Sequence, residues 1–241
     1  MRRFYAPDIR DSMSSVTLSP DESHHARDVL RLRVGDEVTA FDGNGNEFRC
    51  TVEHLDRSAA LLAIIGRIEP SAPESPLGIT LGSVVIPGDK FDLIVQKSVE
   101  LGVARLVPLT SARSELKLKD LEKKLIRWRR IAFDAAKQCG RAKLMTIDDP
   151  FELAKHLDAE AKNDAAKIFF SERDGSRLDV AGSPSDISAV IGPKGGWEDA
   201  EIECARTHKF HIATLGGRIM RAETAAIALT AILQHRFGDI N

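Results

Sequence analysis

A cluster of prolines near residue 70 divides the sequence into two parts with different patterns. Pro70, Pro73 and Pro76 fall within a stretch of seven residues. Proline fixes its own φ angle and lacks an N–H donor, which disfavours both a helix and a central strand here. The chain has 241 residues, 43% of them hydrophobic, which is enough to bury a real core. We therefore expect two domains, residues 1–70 and residues 71–241.

The first part has the pattern of short β-strands. Residues 38–41 and 47–52 flank a run rich in glycine and asparagine, which accept the positive φ angles of a tight hairpin. Residues 59–65 form a further apolar run. Ser19, followed by a proline and then by Glu22, predicts the capped start of a helix. These features predict a small β-barrel with one helix.

The second part alternates strands and helices. The predicted strands are residues 79–86, 105–109, 167–171, 189–192 and 210–215, and the predicted helices are residues 90–101, 198–207 and 222–237. Apolar residues between 121 and 139 are spaced by three and four, which predicts one long amphipathic helix. Such alternation predicts an α/β fold whose mostly parallel sheet is covered on both faces.

Composition narrows the classes of function. The net charge is only -2, so any surface that binds nucleic acid must be local. Cys50, Cys139 and Cys204 have neither metal-site nor disulfide spacing, and we interpret them as buried thiols in a reducing cytoplasm. His208 and His211 would lie on opposite faces of a strand, so no metal site is predicted.

No membrane or secretion signal is expected. The N-terminus lacks the apolar core of a signal peptide, and the longest apolar run, residues 225–233, is too short to span a membrane. We expect a cytoplasmic protein.

Two loops follow predicted strands, where ligands bind in open α/β sheets. Residues 191–198 have the sequence IGPKGGWE, in which glycines allow backbone amides to approach a ligand. This loop lacks the spacing of a Walker A or a dinucleotide motif. Residues 215–224, LGGRIMRAET, combine two glycines, two arginines and a glutamate at the start of a helix. A tight turn and ordinary surface arginines are the alternative interpretations.

The two loops carry a resemblance to a known family. IGPKGGW and LGGRIMRAETA resemble the paired motifs of the ribosomal RNA small subunit methyltransferase E family, a branch of the SPOUT superfamily. The segments MRRFYAPDI, HHARDVLRLRVGDEV, DKFDLIVQKSVELGVARLVPLTSARS and RWRRIAFDAAKQCGR occur in the order that this family shows. The resemblance spans nearly the whole chain. Lys194 and Trp197 depart from it, since the family commonly has glutamate and phenylalanine at these positions.

The resemblance implies a fold and an activity. The implied fold is an N-terminal PUA-like β-barrel that binds RNA and a C-terminal SPOUT domain with a trefoil knot, assembled as a homodimer. The implied activity is methylation of N3 of a uridine in 16S rRNA of the small ribosomal subunit, with S-adenosyl-L-methionine (SAM) as methyl donor. No metal and no membrane are implied. The alternatives are a non-catalytic RNA-binding or ribosome-assembly factor, and a SPOUT methyltransferase with a tRNA target.

The candidate site residues follow from the resemblance and from the chemistry. Arg221 is the expected cation that stabilises the uridine anion, and Glu223 is expected to accept the proton or to orient Arg221. The residues expected to hold SAM are Ser171, Glu172, Ile191, Gly192, Gly195, Gly196, Leu215, Gly216, Ile219, Met220, Arg221 and Thr224. The residues expected to contact RNA are Arg2, Arg3, Arg10, Arg27, Arg31, Arg33, Arg127, Arg130 and Arg141.

A basic segment supports the expectation of an RNA surface. Between residues 113 and 143 there are eleven Lys or Arg against four Asp or Glu, a net charge of +7. Contact with phosphates is the functional interpretation. A solvated helix face is the alternative.

Overall fold

The computed structural model describes residues 2–57, 59–180 and 182–240. The chain forms two compact units. The first comprises the chain up to Glu74 together with Phe133–Leu144. The second comprises Ser75–Ala132 and the chain from Met145 onward.

The first unit is built on a five-stranded sheet. Its strands are β1 (Arg3–Tyr5), β2 (Ser15–Thr17), β3 (Glu37–Phe41), β4 (Glu47–Leu55) and β5 (Ala60–Ile68). The order is β1-β3-β4-β5-β2, with β1 parallel to β3 and the other pairs antiparallel. Every strand contributes to one apolar core, with Phe4, Val16, Val38, Phe48 and Leu62 among its buried residues. The predicted hairpin β3–β4 and strand β5 are confirmed.

The predicted helix of this unit begins as expected. Helix α1 spans Pro20–His24, and the Ser19 hydroxyl accepts a hydrogen bond of 3.3 Å from the Glu22 amide. The helix continues as a π-helical turn over His25–Val29. The serine cap is therefore confirmed, whereas the widened second turn was not predicted.

A buried ion pair ties the start of the chain to the hairpin. The carboxylate of Glu47 accepts hydrogen bonds from Arg3 Nε at 3.0 Å and from the Ser71 amide at 3.0 Å, and both charged side chains are buried. Burial alone would raise the pKa of Glu47, but the hydrogen bonds from Arg3 and Ser71 outweigh it and hold that pKa below its usual value. The Arg3 guanidinium also lies 3.9 Å from the centre of the Phe41 ring. The pair fixes β1 on the sheet and holds Ser71, from the proline-rich stretch, in place.

The second unit has a seven-stranded parallel sheet. Its strands are β6 (Gly78–Val84), β7 (Arg105–Thr110), β8 (Thr146–Ile147), β9 (Phe151–Glu152), β10 (Ala166–Phe170), β11 (Asp186–Ile191) and β12 (His211–Ala213). Their order is β12-β10-β11-β6-β7-β8, with β9 also paired to β7. The helices are α2 (Lys90–Glu100), α3 (Leu118–Glu122), α4 (Leu125–Cys139), α5 (Leu153–Glu160), α6 (Asp199–Thr207) and α7 (Ala222–Phe237). The predicted parallel α/β sheet is confirmed.

One predicted element is wrong. The single long helix expected over residues 121–139 is two helices, because the chain turns at Lys123 and Lys124 between α3 and α4. The Lys124 amide bonds to the Leu121 carbonyl at 2.8 Å, three residues back. Leu121 and Leu125 are both buried across the turn, so the apolar spacing continues and does not reveal the break. The end of α4, from Phe133 onward, belongs to the first unit.

The prediction that the three cysteines are buried is confirmed for one of them. Cys50 is fully buried, and its burial raises the thiol pKa to about 11. Cys139 and Cys204 are free thiols but are partly exposed, so the expectation of burial is wrong for them. In the described part of the chain, no helix is both long and apolar enough to cross a membrane.

We predict that Glu47→Gln destabilises the first unit by about 3 kcal/mol at neutral pH, because it leaves the buried Arg3 charge without a counter-ion. Hydrogen exchange of the β3 and β4 amides would measure the loss. The lowered pKa of Glu47 means that its contribution is present above the carboxyl pKa of the unfolded chain and disappears as pH falls through the native value. The difference in stability between the wild type and Glu47→Gln should therefore become smaller in acid.

The control for this prediction is Asp11→Asn, which removes an exposed ion pair with Arg67 whose side chains are 66% and 55% accessible. We expect it to change stability by less than about 1 kcal/mol. Equal effects of the two substitutions would contradict the role given to the buried pair.

Candidate functional site

A cleft of about 780 Å³ opens at the carboxyl ends of the central strands of the second unit. It is formed by the segments that follow β6, β10, β11 and β12 and by the first turns of α2 and α7. This is the edge of a parallel sheet at which ligands bind in α/β folds. The volume falls in the range of small-molecule sites, about 300–1,000 Å³.

Trp197 fixes the first glycine loop. Its indole Nε1 donates a buried hydrogen bond of 2.7 Å to the Phe170 carbonyl at the end of β10. Its ring packs on Phe169 with 4.4 Å between centroids. A β-carbon at Gly192 would lie 2.8 Å from the same indole, so only glycine lets the chain directly after β11 pass this close. The loop after β11 is thereby held against the end of β10.

The same loop makes a tight turn beside a carboxylate. The Gly196 amide bonds to the Pro193 carbonyl at 3.1 Å, and Gly196 has a φ of +72°. Any β-carbon there would collide with the carboxylate of Glu172. From the segment after β7, Arg113 Nη1 donates a 2.8 Å hydrogen bond to the Gly195 carbonyl. Residues from the segments that follow β7 and β10 therefore set the path of the loop.

The second glycine loop connects β12 to α7 and is open to solvent. Gly216 has a φ of +63°, which favours glycine, and no atom would obstruct a side chain there. Arg218, Ile219 and Arg221 are exposed, and Ile219 keeps 86% of its surface accessible. The Arg221 carbonyl accepts the Ala225 amide at 2.8 Å, so α7 begins directly after Arg221. The loop presents cations and an apolar side chain to the cleft.

An ion pair crosses the cleft between two helix starts. Lys90 Nζ, at the first residue of α2, lies 3.4 Å from Glu223 Oε1, in the first turn of α7. The Glu223 side chain is 15% accessible and that of Lys90 is 44% accessible. The carboxylate is thus mostly enclosed, whereas the ammonium still faces the open cleft.

The site belongs to a region that matches a known family. Residues 73–234 match the family model described as an RNA methyltransferase domain, and residues 18–65 match an RNA methyltransferase PUA domain. The ribosomal RNA small subunit methyltransferase E of Buchnera aphidicola subsp. Schizaphis graminum is 32% identical over 231 residues, which cover 94% of this chain and 92% of the relative. The chain belongs to the ribosomal RNA small subunit methyltransferase E family.

Solved structures support the same family assignment. The family member from Neisseria gonorrhoeae, bound to S-adenosyl methionine, is 33% identical and superimposes with a TM-score of 0.91 over 100% of both chains. A methyltransferase from Legionella pneumophila in complex with the cofactor SAM is 33% identical, with a TM-score of 0.88 over 99% of this chain and 98% of that one. The expected PUA domain and SPOUT-type α/β domain are confirmed.

The structure brings most of the predicted cofactor residues together. Those that line the cleft are Ser171, Glu172, Ile191, Gly192, Leu215, Gly216, Ile219, Met220 and Arg221, and Glu223 lies with them. Gly195, Gly196 and Thr224 are not among the lining residues. Gly195 instead shapes the loop through its carbonyl. The cofactor role of the whole set stays a prediction for this member of the ribosomal RNA small subunit methyltransferase E family.

Sequence reasoning missed one wall of the cleft. This wall follows β6 and consists of Ile86, Pro87, Gly88 and Lys90. The signal was present, because this segment also follows the carboxyl end of a predicted strand. With a single glycine and no arginine, the segment does not resemble the two glycine loops. The wall brings in the cation that pairs with Glu223.

Two arginines expected to contact RNA are not available at the surface. Arg3 is buried against Glu47, and Arg141 is buried with Nε and Nη2 at 3.0 Å and 2.6 Å from the two carboxylate oxygens of Glu74. Sequence cannot distinguish a buried ion pair from a basic surface, and the prediction of RNA contact conflicts with this burial. The other predicted arginines are exposed or partly exposed. Within the described ranges, no group of three or more His, Cys, Asp or Glu side chains could hold a metal ion.

We predict that Gly192→Ala displaces the Trp197 indole, since the added methyl would overlap it, and costs about 1–3 kcal/mol. A lower melting temperature and a red shift in tryptophan emission would report the displacement. Gly195→Ala is the matched control in the same loop, because its β-carbon would meet only Arg113 at ordinary contact distance, 3.5 Å. If both variants melted alike, the close packing of Gly192 on Trp197 would not be what constrains the loop.

Proposed function

We propose that this chain transfers the methyl group of SAM to N3 of a uridine in 16S rRNA of the small ribosomal subunit. The observation that carries the proposal is the cleft, in which both glycine loops and the Lys90–Glu223 pair meet at the carboxyl edge of the sheet. The two SAM-bound solved structures that superimpose along nearly the whole chain support SAM as its occupant. The names of the curated relatives support the RNA of the small subunit as substrate.

The residues of the cleft suit a bent nucleoside cofactor. Ile191, Leu215, Ile219 and Met220 offer apolar contacts to an adenine ring. Backbone groups of the second glycine loop can approach it closely because Gly216 carries no side chain. The carboxylate of Glu172 is placed to meet a cationic or hydroxylated part of the cofactor.

The chemistry requires a nucleophilic nitrogen beside the sulfonium. Uridine N3 carries a weakly acidic imide proton, and its loss places negative charge on the two flanking oxygens. The N3–C bond then forms as the C–S bond breaks, and the electron pair of that bond goes to sulfur. Alignment of the two groups supplies much of the rate, and a fixed cation stabilises the developing anion. Arg221, exposed at the cleft and able to donate a fork of hydrogen bonds, is the proposed cation.

We propose the exposed arginines as the RNA-contacting set, now without the two buried ones. They are Arg2, Arg10, Arg27, Arg31, Arg33, Arg127 and Arg130. Several already have acidic neighbours, such as Arg127 Nη2 with Asp92 at 2.5 Å. RNA phosphates would compete with these carboxylates, so binding should weaken steeply with salt.

The remaining parts of the proposal rest on the family resemblance. We propose a cytoplasmic homodimer whose domain boundary lies between residues 70 and 71, and whose last segment is threaded as a trefoil knot. The segment after β10 contacts the residues after β12 and helix α7. Its Ser176 carbonyl accepts the Thr214 amide at 2.9 Å, and its Leu178 carbonyl accepts Arg236 Nη1 at 3.0 Å. Sedimentation velocity tests the dimer.

Experiment distinguishes this function from two others. A non-catalytic assembly factor would not need the open cleft, and absence of SAM binding would favour it. A tRNA methyltransferase would share the cofactor site, and the identity of the labelled RNA and nucleoside distinguishes it.

The deciding experiment is methyl transfer from labelled SAM to small ribosomal subunits that lack the modification, followed by nucleoside digestion and chromatography. We expect the label on 3-methyluridine. Label on another nucleoside would overturn the choice of uridine N3. Absence of both transfer and SAM binding would overturn the enzyme.

We predict that Arg221→Ala slows methyl transfer by about 10²–10³-fold, since it removes the cation beside the uridine anion. Isothermal titration of SAM separates this role from the cofactor role also predicted for Arg221, because a side chain that acts on the uridine alone leaves SAM affinity close to that of the wild type. Arg221→Lys keeps the charge without the fork of donors and should recover part of the rate. Lys162→Ala, which removes an exposed pair with Asp158 on α5, is the surface control. A loss confined to SAM binding would assign Arg221 to the cofactor and not to uridine.

A further inference from the structure

We propose that Lys90 is a second catalytic cation and that it acts together with Glu223. Glu223 accepts the uridine proton, and Lys90 stabilises the uridine anion that results. The inference rests on the proposed function and deepens it. The juxtaposition that carries it is the 3.4 Å approach of Lys90 Nζ to Glu223 Oε1 inside the cleft, between two helices that are far apart in sequence.

Glu223 is the enclosed carboxylate of the cleft. The other lining carboxylates, Glu115 and Glu172, are exposed, whereas the Glu223 side chain is 15% accessible. A proton acceptor that must work beside a methyl donor benefits from this enclosure, because bulk water is kept from it. Stabilisation of the positive end of α7 explains an acidic residue in its first turn. It does not explain a lysine brought to that residue from another helix.

The Lys90 ammonium has N–H donors that Glu223 does not use. Its side chain is 44% accessible at the cleft, and within the described ranges Glu223 is the one carboxylate within ion-pair distance. An ammonium has three N–H donors, and one carboxylate does not use them all. The remaining donors are available to a ligand in the cleft. A uridine anion has two oxygens, one on each side of N3, so a second cation beside Arg221 has a chemical role.

The pair lets negative charge move from Glu223 to the uridine while Lys90 stays beside it. Before reaction, Lys90 is positive, Glu223 is negative and the uridine is neutral. The N3–H bond then breaks, its proton goes to the Glu223 carboxylate, and its electron pair stays on the uridine. Lys90 no longer faces a negative carboxylate. It instead pairs with the negative charge on the neighbouring uracil oxygen. The N3–C bond forms as the C–S bond breaks, and the proton leaves Glu223 for solvent afterwards.

The test is Lys90→Met, assayed in single turnover on small subunits that lack the modification. We expect methyl transfer to slow by about 10²-fold with SAM affinity unchanged, because fixed charge beside the developing anion is lost. Lys97→Met is the matched control. Lys97 lies on the same helix and pairs with Glu100 at 2.7 Å, but it does not line the cleft. Its rate should equal that of the wild type.

Two readouts separate catalysis from a structural role. The rate of Lys90→Met should keep rising to higher pH than that of the wild type, since uridine must then ionise without the ammonium. Subunits whose 16S rRNA carries 5-fluorouridine should narrow the deficit, because fluorine makes N3 more acidic. A structural defect would slow both substrates equally.

The double variant Lys90→Met with Glu223→Gln completes the test. If the two residues act as a unit, the double variant should be little slower than either single variant. If the rate losses of the two single variants were additive, the two residues would not act as a pair. If Lys90→Met were not slowed, the whole inference would be overturned. If the wild type itself placed no label on 3-methyluridine, the proposed function would fail first, and the two failures are therefore distinguishable.

Discussion

The buried hydrogen bond from Trp197 to the Phe170 carbonyl is the contact on which the site depends. It joins the end of β10 to the loop after β11, and it needs Gly192 beneath the indole and Gly196 at the turn. A buried donor without a partner would cost about 1–3 kcal/mol, so the bond favours one position of the ring. This loop, which lines the cleft, therefore takes its shape from the core, where Trp197 packs with Phe169.

Charge in the protein is divided between structural and reactive uses. Arg3 and Arg141 are buried with carboxylates and fix the first unit, where removal of one partner would leave an unpaired charge. Lys90 and Glu223 form a longer pair at an open cleft, and the ammonium keeps donors for a ligand. The accessibility of the cation decides the difference, because the Lys90 side chain is 44% accessible whereas those of Arg3 and Arg141 are 1% and 6% accessible. Counting basic residues along the sequence cannot separate the two uses.

Much of the fold was predictable, and the failures have a common cause. Helix α7 was predicted with its observed bounds, which enclose the mostly apolar run of residues 225–233. The break between α3 and α4 was missed, since Leu121 and Leu125 keep helical spacing across it. Strands β8 and β9, of two residues each, carry no period long enough to detect. Local pattern fails where tertiary contacts set the backbone.

The sequence by itself determined the family, the alternation of strands and helices, and the two glycine loops, because motif order and periodicity are written along the chain. Only the tertiary structure decided which residues share the cleft. It added the wall after β6, paired Lys90 with Glu223, and removed Arg3 from the RNA surface. The physical reason is that ion pairs and burial join residues distant in sequence. The energy of a charge depends on the neighbours that the fold brings to it.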